Sequence, residues 1–394
     1  MKRTLQSSTS LQDPLFAVSA VALIAATYGL ARLGYGLFLP AFAASFSLPP
    51  TMSGVLSSGA SMLYCVSAVI GFRFAGGHPR VVTLLAGSTA ALGSVGIAGA
   101  QHTVIFAGAV LLAGMGAGFA SPALVELVQR NTEPARQGRL QSVVNSGTGF
   151  GVVAAGILSL SLGEAWRIAW VLVAAIAAAS MLAVLRLDGS AGTAPEQVRP
   201  APSLLTRSSF RGLARPLSGA FVFGCGCSAV WVYGRATLEQ TAGMSAGMSA
   251  VAWIALGVGG AAATLGARWL ADHAIALTWS VTTVATAGAT ALIGSIQGSL
   301  VPAYAAAALF GLAYTAATSV LILWASEATP DSAAATSLLF TALVLGQAAG
   351  APLTGAMIEA SGPVAAFSAA ALTCAAGALA VTGTRRRVRP PPQG

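Results

Sequence analysis

The 394-residue chain is 56% hydrophobic and 8% charged, with a mean hydropathy of +0.78. A soluble domain carries about 25% charged residues, so this composition cannot cover a water-facing surface. The formal net charge of +9 does not point to nucleic acid, because the arginines are scattered over span ends and alternate loops instead of forming one basic face.

A bilayer crossing needs roughly 20 apolar residues, and 394 residues divided by a dozen crossings leave about 33 each. Long runs of Ala, Leu and Gly mixed with Val and Ile read as helices and not barrel strands. In chain order the predicted spans are 15–44, 51–73, 81–100, 103–128, 140–161 and 166–186, then 214–236, 248–270, 275–296, 300–325, 333–358 and 363–384. Lys2 and Arg3 precede the first run, which is too long for a cleaved signal peptide and is read as a span. Residues 1–186 form one six-helix unit in this reading and 214–384 a second. Between them lies a linker, 187–213, and after them a basic tail, 385–394. Arg207, Arg211 and Arg215 recur every four residues and share one face of a short helix, near lipid headgroups.

Loops holding Arg73/Arg80, Arg130/Arg136/Arg139, the linker and Arg268 alternate with loops that lack Arg and Lys. That asymmetry places both termini in the cytoplasm of a multi-pass inner or plasma membrane protein. The halves also repeat. Gly71-Phe-Arg73-Phe runs on to His78, and Gly266-Ala-Arg268-Trp runs on to His273. Tyr35-Gly36 is matched by Tyr233-Gly234, Gly114 by Gly311 and Pro134 by Pro330. A half-length repeat in so apolar a chain points to two parallel bundles around a central cavity.

Within the first span, Arg32 stands near the middle, where a charge costs at least about 2.5–3.5 kcal/mol. Tyr28 and Tyr35 share its helical face. Two readings stand side by side. Arg32 pairs a substrate carboxylate or phosphate, with the tyrosines as contacts, or it is structural and satisfied by helix-end carbonyls or Glu126. Glu126 itself reads as an i,i+4 helix pair with Arg130 or as a proton carrier for coupling. Asn145 and Gln347 are candidate ligand contacts, since an unpaired amide in lipid is costly, while the glycines around them read as helix packing. Tyr64 and Tyr314 are candidates for the cavity wall. Trp231, Tyr233 and Arg235 approach one end of the seventh span, as an aromatic belt or as an outer gate. The four cysteines lie in apolar runs and read as packing residues. No residue set is read as catalytic or metal-binding, and no cofactor is expected.

Twelve spans, a central linker and the repeated loop resemble the major facilitator superfamily. Its loop after the second span carries a G-x-x-x-D-R-x-G-R-R motif. Here the segment reads Gly71-Phe-Arg73-Phe-Ala75-Gly-Gly-His78-Pro-Arg80, a degraded copy with Ala75 at the acidic position. The second copy keeps Gly266, Arg268 and a displaced Asp272. The resemblance makes these segments the conformational loops. Tyr28-Gly-Leu-Ala-Arg32-Leu-Gly-Tyr35-Gly-Leu-Phe-Leu-Pro40 is similar to the first helix of the YbfB/YjiJ-type branch. The resemblance implies an all-α membrane fold of twelve helices in two pseudo-symmetric six-helix bundles. The implied function is secondary active or facilitative transport of a small organic solute by a monomer using alternating access. An organic anion or amphipathic solute is one option, a proton or counter-ion the possible coupling partner. The alternatives are a sensor or chaperone that no longer transports, and an exporter of neutral drug-like or sugar-like compounds. The chain is not read as an enzyme.

Overall fold

A computed structural model describes residues 9–189, 207–329 and 332–381. Helix α1 (Thr9–Ile24) continues through a π-helical stretch, Ala25–Arg32, into α2 (Gly34–Phe46). The chain proceeds through α3 (Pro50–Ala75), α4 (Pro79–Gly99), α5 (Thr103–Asn131), α6 (Pro134–Leu162) and α7 (Trp166–Leu187). It resumes with α8 (Arg207–Thr241), α9 (Ala246–Ala262), α10 (Ala267–Asp272), α11 (Ile275–Ser295), α12 (Leu300–Ala328) and α13 (Ser332–Ala376). No strand occurs among the described residues. Pro50, Pro79 and Pro134 open their helices at the first turn, where a missing N–H costs nothing. Ser245 caps α9 by accepting the Met248 N–H.

Among the described residues, eleven helical stretches are long and apolar enough to cross a membrane. The last, Ala334–Val381, has 48 residues, about 72 Å at 1.5 Å per residue and more than twice a hydrocarbon core of about 30 Å. Gly362, at φ 81° and ψ 168°, breaks it. The stretch is therefore two crossings, and the described residues make twelve in all. Residues 207–213, assigned to the linker from sequence, are instead the first turns of α8. Of Arg207 and Arg211 only the backbone is described, and residues 190–206, Pro330 and the basic tail lie outside the described residues.

Helices α1 to α7 pack chiefly with one another, and so do α8 to α13. Each set forms a six-crossing bundle. Toward its far end the first packs around Phe42, whose ring meets Phe106 at 4.8 Å and Trp166 at 5.1 Å. The second surrounds Trp279, packed on Phe223 and Trp324 and donating to the Gly377 carbonyl at 2.9 Å. The internal repeat has a physical counterpart. A Cβ on Gly114 would press on the Ala60 carbonyl at 2.9 Å, and one on Gly311 would collide with the Leu256 carbonyl. Both glycines let the fourth crossing of a bundle lie directly on the second.

The near end of the molecule holds the turns at 76–78, 132–133 and 273–274. The far end holds those at 47–49, 100–102, 163–165, 242–245, 296–299 and Gly362.

Candidate functional site

Arg32 closes the π-helical stretch. The Leu33 N–H bonds the Tyr28 carbonyl, five residues back, at 2.9 Å. Opposite this stretch, Gly151 and Gly29 bring two backbones into contact, since a Cβ on Gly29 would collide with Gly151. The wider π turn and the glycine crossing together place Arg32 at mid-depth between the bundles. π-Helical insertions of this kind recur at functional sites.

The guanidinium joins groups from both bundles. Its Nη2 donates to Gln347 Oε1 at 3.2 Å, and Gln347 Nε2 donates to the Tyr314 hydroxyl at 3.1 Å. The Arg32 Cζ stands 4.5 Å from the centre of the Tyr64 ring, a cation–π contact. The Tyr64 hydroxyl shares a 2.6 Å hydrogen bond with Tyr28, which also meets Ser121 Oγ at 3.3 Å. Arg32 has no carboxylate within ion-pair distance among the described residues. Its Nε is buried and has no hydrogen-bond partner.

That guanidinium lines a cavity shared with Ser57 and Ser61 of α3, Ser228 and Trp231 of α8, and Gln347 of α13. The Trp231 indole N–H is also buried without a partner. Ser57 and Ser61, one helical turn apart, have no hydrogen-bond partner among the described residues. Tyr35, Val110, Gly114 and Val232 supply apolar wall. The cavity is rich in donors and contains no acid. Its free volume is about 40 Å³. A water molecule needs roughly 10–15 Å³ of such space, so the cavity accommodates a headgroup of about three non-hydrogen atoms, not a whole solute.

The predicted residues divide clearly. Arg32, Tyr35 and Gln347 line the cavity, and Tyr28, Tyr64 and Tyr314 stand directly behind them. The Tyr35 hydroxyl turns away and donates to the Ser53 carbonyl at 3.0 Å. Asn145 is elsewhere. It is exposed on α6, outside the cavity, and its Oδ1 accepts from Gln141 at 3.1 Å. Glu126 is half-buried on α5 and forms no ion pair with Arg130 or Arg32 among the described residues. Sequence reasoning missed Ser57, Ser61 and Trp231 as cavity donors. The i,i+4 serine pair in an apolar span was the available signal.

The loop motifs are unequal. Arg80 pairs with Asp188 Oδ2 at 2.9 Å, and Asn131 donates to the other oxygen at 3.0 Å. Asp188 is buried, so this cluster ties the near ends of α4, α5 and α7 together. The partner expected at position 75 is thus supplied from the end of the sixth crossing. Gly71 lies against Pro122 and Phe119. Arg73 is exposed, over the Phe74 ring. In the second copy, Gly266 has open space around it, and Arg268 and Asp272 form an exposed pair at 3.6 Å. Neither joins another helix end, because α9 deforms through a 3₁₀ turn at Ala263–Gly266 before reaching them.

At the far end, Trp231, Tyr233 and Arg235 are buried between the bundles, which excludes a lipid-facing belt. The Tyr233 hydroxyl meets the Pro50 carbonyl at 2.9 Å and the Ala351 carbonyl at 2.8 Å. Arg235 Nη1 donates across to the Leu37 carbonyl at 2.6 Å and to Ser159 at 2.7 Å. Thr51 N–H donates to Glu359 at 2.7 Å. A Cβ on Gly36 would collide with the Trp231 carbonyl. The far end is closed by these contacts.

The sequence model of the Major Facilitator Superfamily matches residues 21–336. Comparison with curated proteins finds no match. Among solved structures, the chain is similar to a POT family transporter in complex with 5-aminolevulinic acid (TM-score 0.75, 12% identity, 94% of this chain and 95% of that one). It is similar to the nucleoside transporter NupG (TM-score 0.73, 14% identity, 94% and 98%). It is also similar to the human organic anion transporter MFSD10 (TM-score 0.68, 16% identity, 92% and 99%). At these identities the likeness concerns the fold.

Proposed function

The chain belongs to the Major Facilitator Superfamily, and on that premise we propose that this membrane transporter carries a small organic anion, bound at Arg32. One observation carries the reading. A guanidinium at mid-depth has no carboxylate partner among the described residues, its Nε has no hydrogen-bond partner, and the side chain lines a cavity with other unused donors. A buried cation persists in a membrane when something compensates it. Here the missing acceptor is the solute. The planar fork of Arg suits a carboxylate, and Trp231 N–H with Ser57 and Ser61 completes a donor set around it.

In this reading residues 1–186 and 214–384 are the two moving units, joined by 187–213 and followed by the tail 385–394. Both termini face the cytoplasm across an inner or plasma membrane, and the protein acts as a monomer. The pattern at Tyr28 to Pro40 supports placement near the YbfB/YjiJ-type branch. The fold likeness to MFSD10, described as an organic anion transporter, supports this choice of cargo.

The test is counterflow in proteoliposomes with labelled aliphatic and aromatic monocarboxylates beside their uncharged amides. Saturable flux of a carboxylate, lost in Arg32→Ala, is expected. Equal flux of the amides would favour a carrier of neutral compounds. Binding without flux would favour a sensor.

A further inference from the structure

The far-end closure contains a carboxylate that solution reaches. Arg235 is buried, and its Nε donates to Glu239 Oε1 at 2.9 Å. Ser249 Oγ donates to the same oxygen. The other oxygen, Oε2, has no hydrogen-bond partner among the described residues and is not buried. Glu239 also lines a far-end cavity of about 240 Å³, with Leu39, Pro40, Ser53, Tyr233 and Gln240. This cavity adjoins the one at Arg32. Tyr35, Gly36 and Val232 border the inner space, while Leu39 and Tyr233 border the outer.

We propose that Glu239 is a protonation site through which acidity on the far side of the membrane opens the far-end closure. A proton from hydronium in the outer cavity adds to a lone pair on Oε2 and returns to water when the closure reforms. Neutral Glu239 no longer balances Arg235. The remaining partners of that guanidinium are uncharged: the Leu37 and Ala246 carbonyls and the Ser159 and Ser249 hydroxyls. A buried charge that loses its counter-charge is strongly destabilising. Two of these bonds cross between the bundles, so water replaces them as the bundles part, and the open state hydrates the cation. An arriving anion then meets a vestibule that carries the Arg235 cation.

The ionisable groups facing this corner are Arg235 on the same helix, Tyr35 on α2, Tyr233, and Glu359 on α13. Helices α6 and α9 face it with Ser159 and Ser249. Glu359 accepts the Thr51 N–H at the α3 start, a bond that Gln can also accept, so Glu359→Gln removes a titratable carboxylate while keeping the closing contact and is the control.

The inference rests on the transporter reading only in supposing that the bundles move apart. It is tested without solute, so its failure and that of the anion reading are distinguishable. Spin labels at Ser45→Cys and Met248→Cys, both exposed and on opposite bundles, report the far-end separation by pulsed electron paramagnetic resonance. The protein is full-length and in nanodiscs, with the four native cysteines replaced. The longer distance is expected to gain population several-fold between pH 8 and pH 5. Glu239→Gln is expected to hold it at both pH values, and Glu359→Gln to keep the wild-type response. A wild-type distribution unchanged by pH overturns the proposal, whatever the variants do. A response retained in Glu239→Gln, or lost in Glu359→Gln alone, also overturns it.

Discussion

A charge at mid-depth costs at least about 2.5–3.5 kcal/mol on insertion scales, and Arg32 offsets it only in part, through Gln347 and the Tyr64 ring. Arg32→Lys keeps the charge and loses the fork, so it should insert and fold yet bind anions roughly 10–100-fold more weakly, from about 1.5–3 kcal/mol per charged hydrogen bond. Arg32→Ala should abolish anion binding while leaving the melting temperature equal or higher, since a buried charge is removed. Differential scanning fluorimetry checks stability and titration calorimetry checks affinity. Trp231→Phe removes the indole N–H at nearly constant ring area, and Ser57→Ala with Ser61→Ala removes two hydroxyls. Each should lower affinity about tenfold, by roughly 1–1.5 kcal/mol, with little effect on folding. Arg32 was legible in the sequence because a charge stands out in an apolar run. Ser57, Ser61 and Trp231 were not, since serine and tryptophan are ordinary in such runs and only the packing of α3 on α5 and α13, and of α8 on α2, decides what they face. Asn145 stood out for its amide, but α6 leaves it exposed outside this cavity, with its Oδ1 accepting from Gln141 one turn away.

At the scale of the element, glycine placement decides where helices touch. Gly36 allows α2 to lie on the α8 backbone at Trp231, and Gly54 and Gly355 do the same for α3 and α13 at Ala351 and Pro50. Gly36→Ala cannot form this crossing without moving Trp231, so it should favour a parted far end. The Ser45–Met248 spin-label distance at pH 8 should then be long, while circular dichroism remains that of the wild type. A short distance in Gly36→Ala would show that the crossing relaxes locally. The helices and their order were readable from apolar run lengths, and the final pair was correctly divided near Gly362. The π-helical stretch was not readable, because Ala25–Arg32 carries no proline, a lone Gly29 is tolerated within a helix, and its register depends on the Gly147 and Gly151 face of α6. The acidic partner of Arg80 was invisible for a related reason. Asp188 lies 108 residues away, beyond any local motif.

For the whole molecule, the arginine asymmetry between alternate loops predicts twelve crossings with both termini inside. Reporter fusions after residues 47, 101 and 298 should score outside, and one at 200 inside. A cytoplasmic signal at 101 would contradict that orientation. The half-length repeat was legible through Gly114 and Gly311, whose equivalent crossings in the two bundles explain why both positions hold glycine. What joins the bundles was legible only as scattered residues, since the closure of Tyr233, Arg235 and Thr51 pairs side chains with backbone groups of the opposite bundle. The central claim is an anion at Arg32, and ligand-dependent melting of the purified protein tests it most directly. A ligand at 100 times its Kd stabilises the folded state by about 2.7 kcal/mol. With a panel of monocarboxylates and their matching amides, at least one acid should raise the wild-type melting temperature while its amide does not, and Arg32→Ala should lose that shift. Equal stabilisation by acid and amide, or a shift that survives Arg32→Ala, would contradict the account.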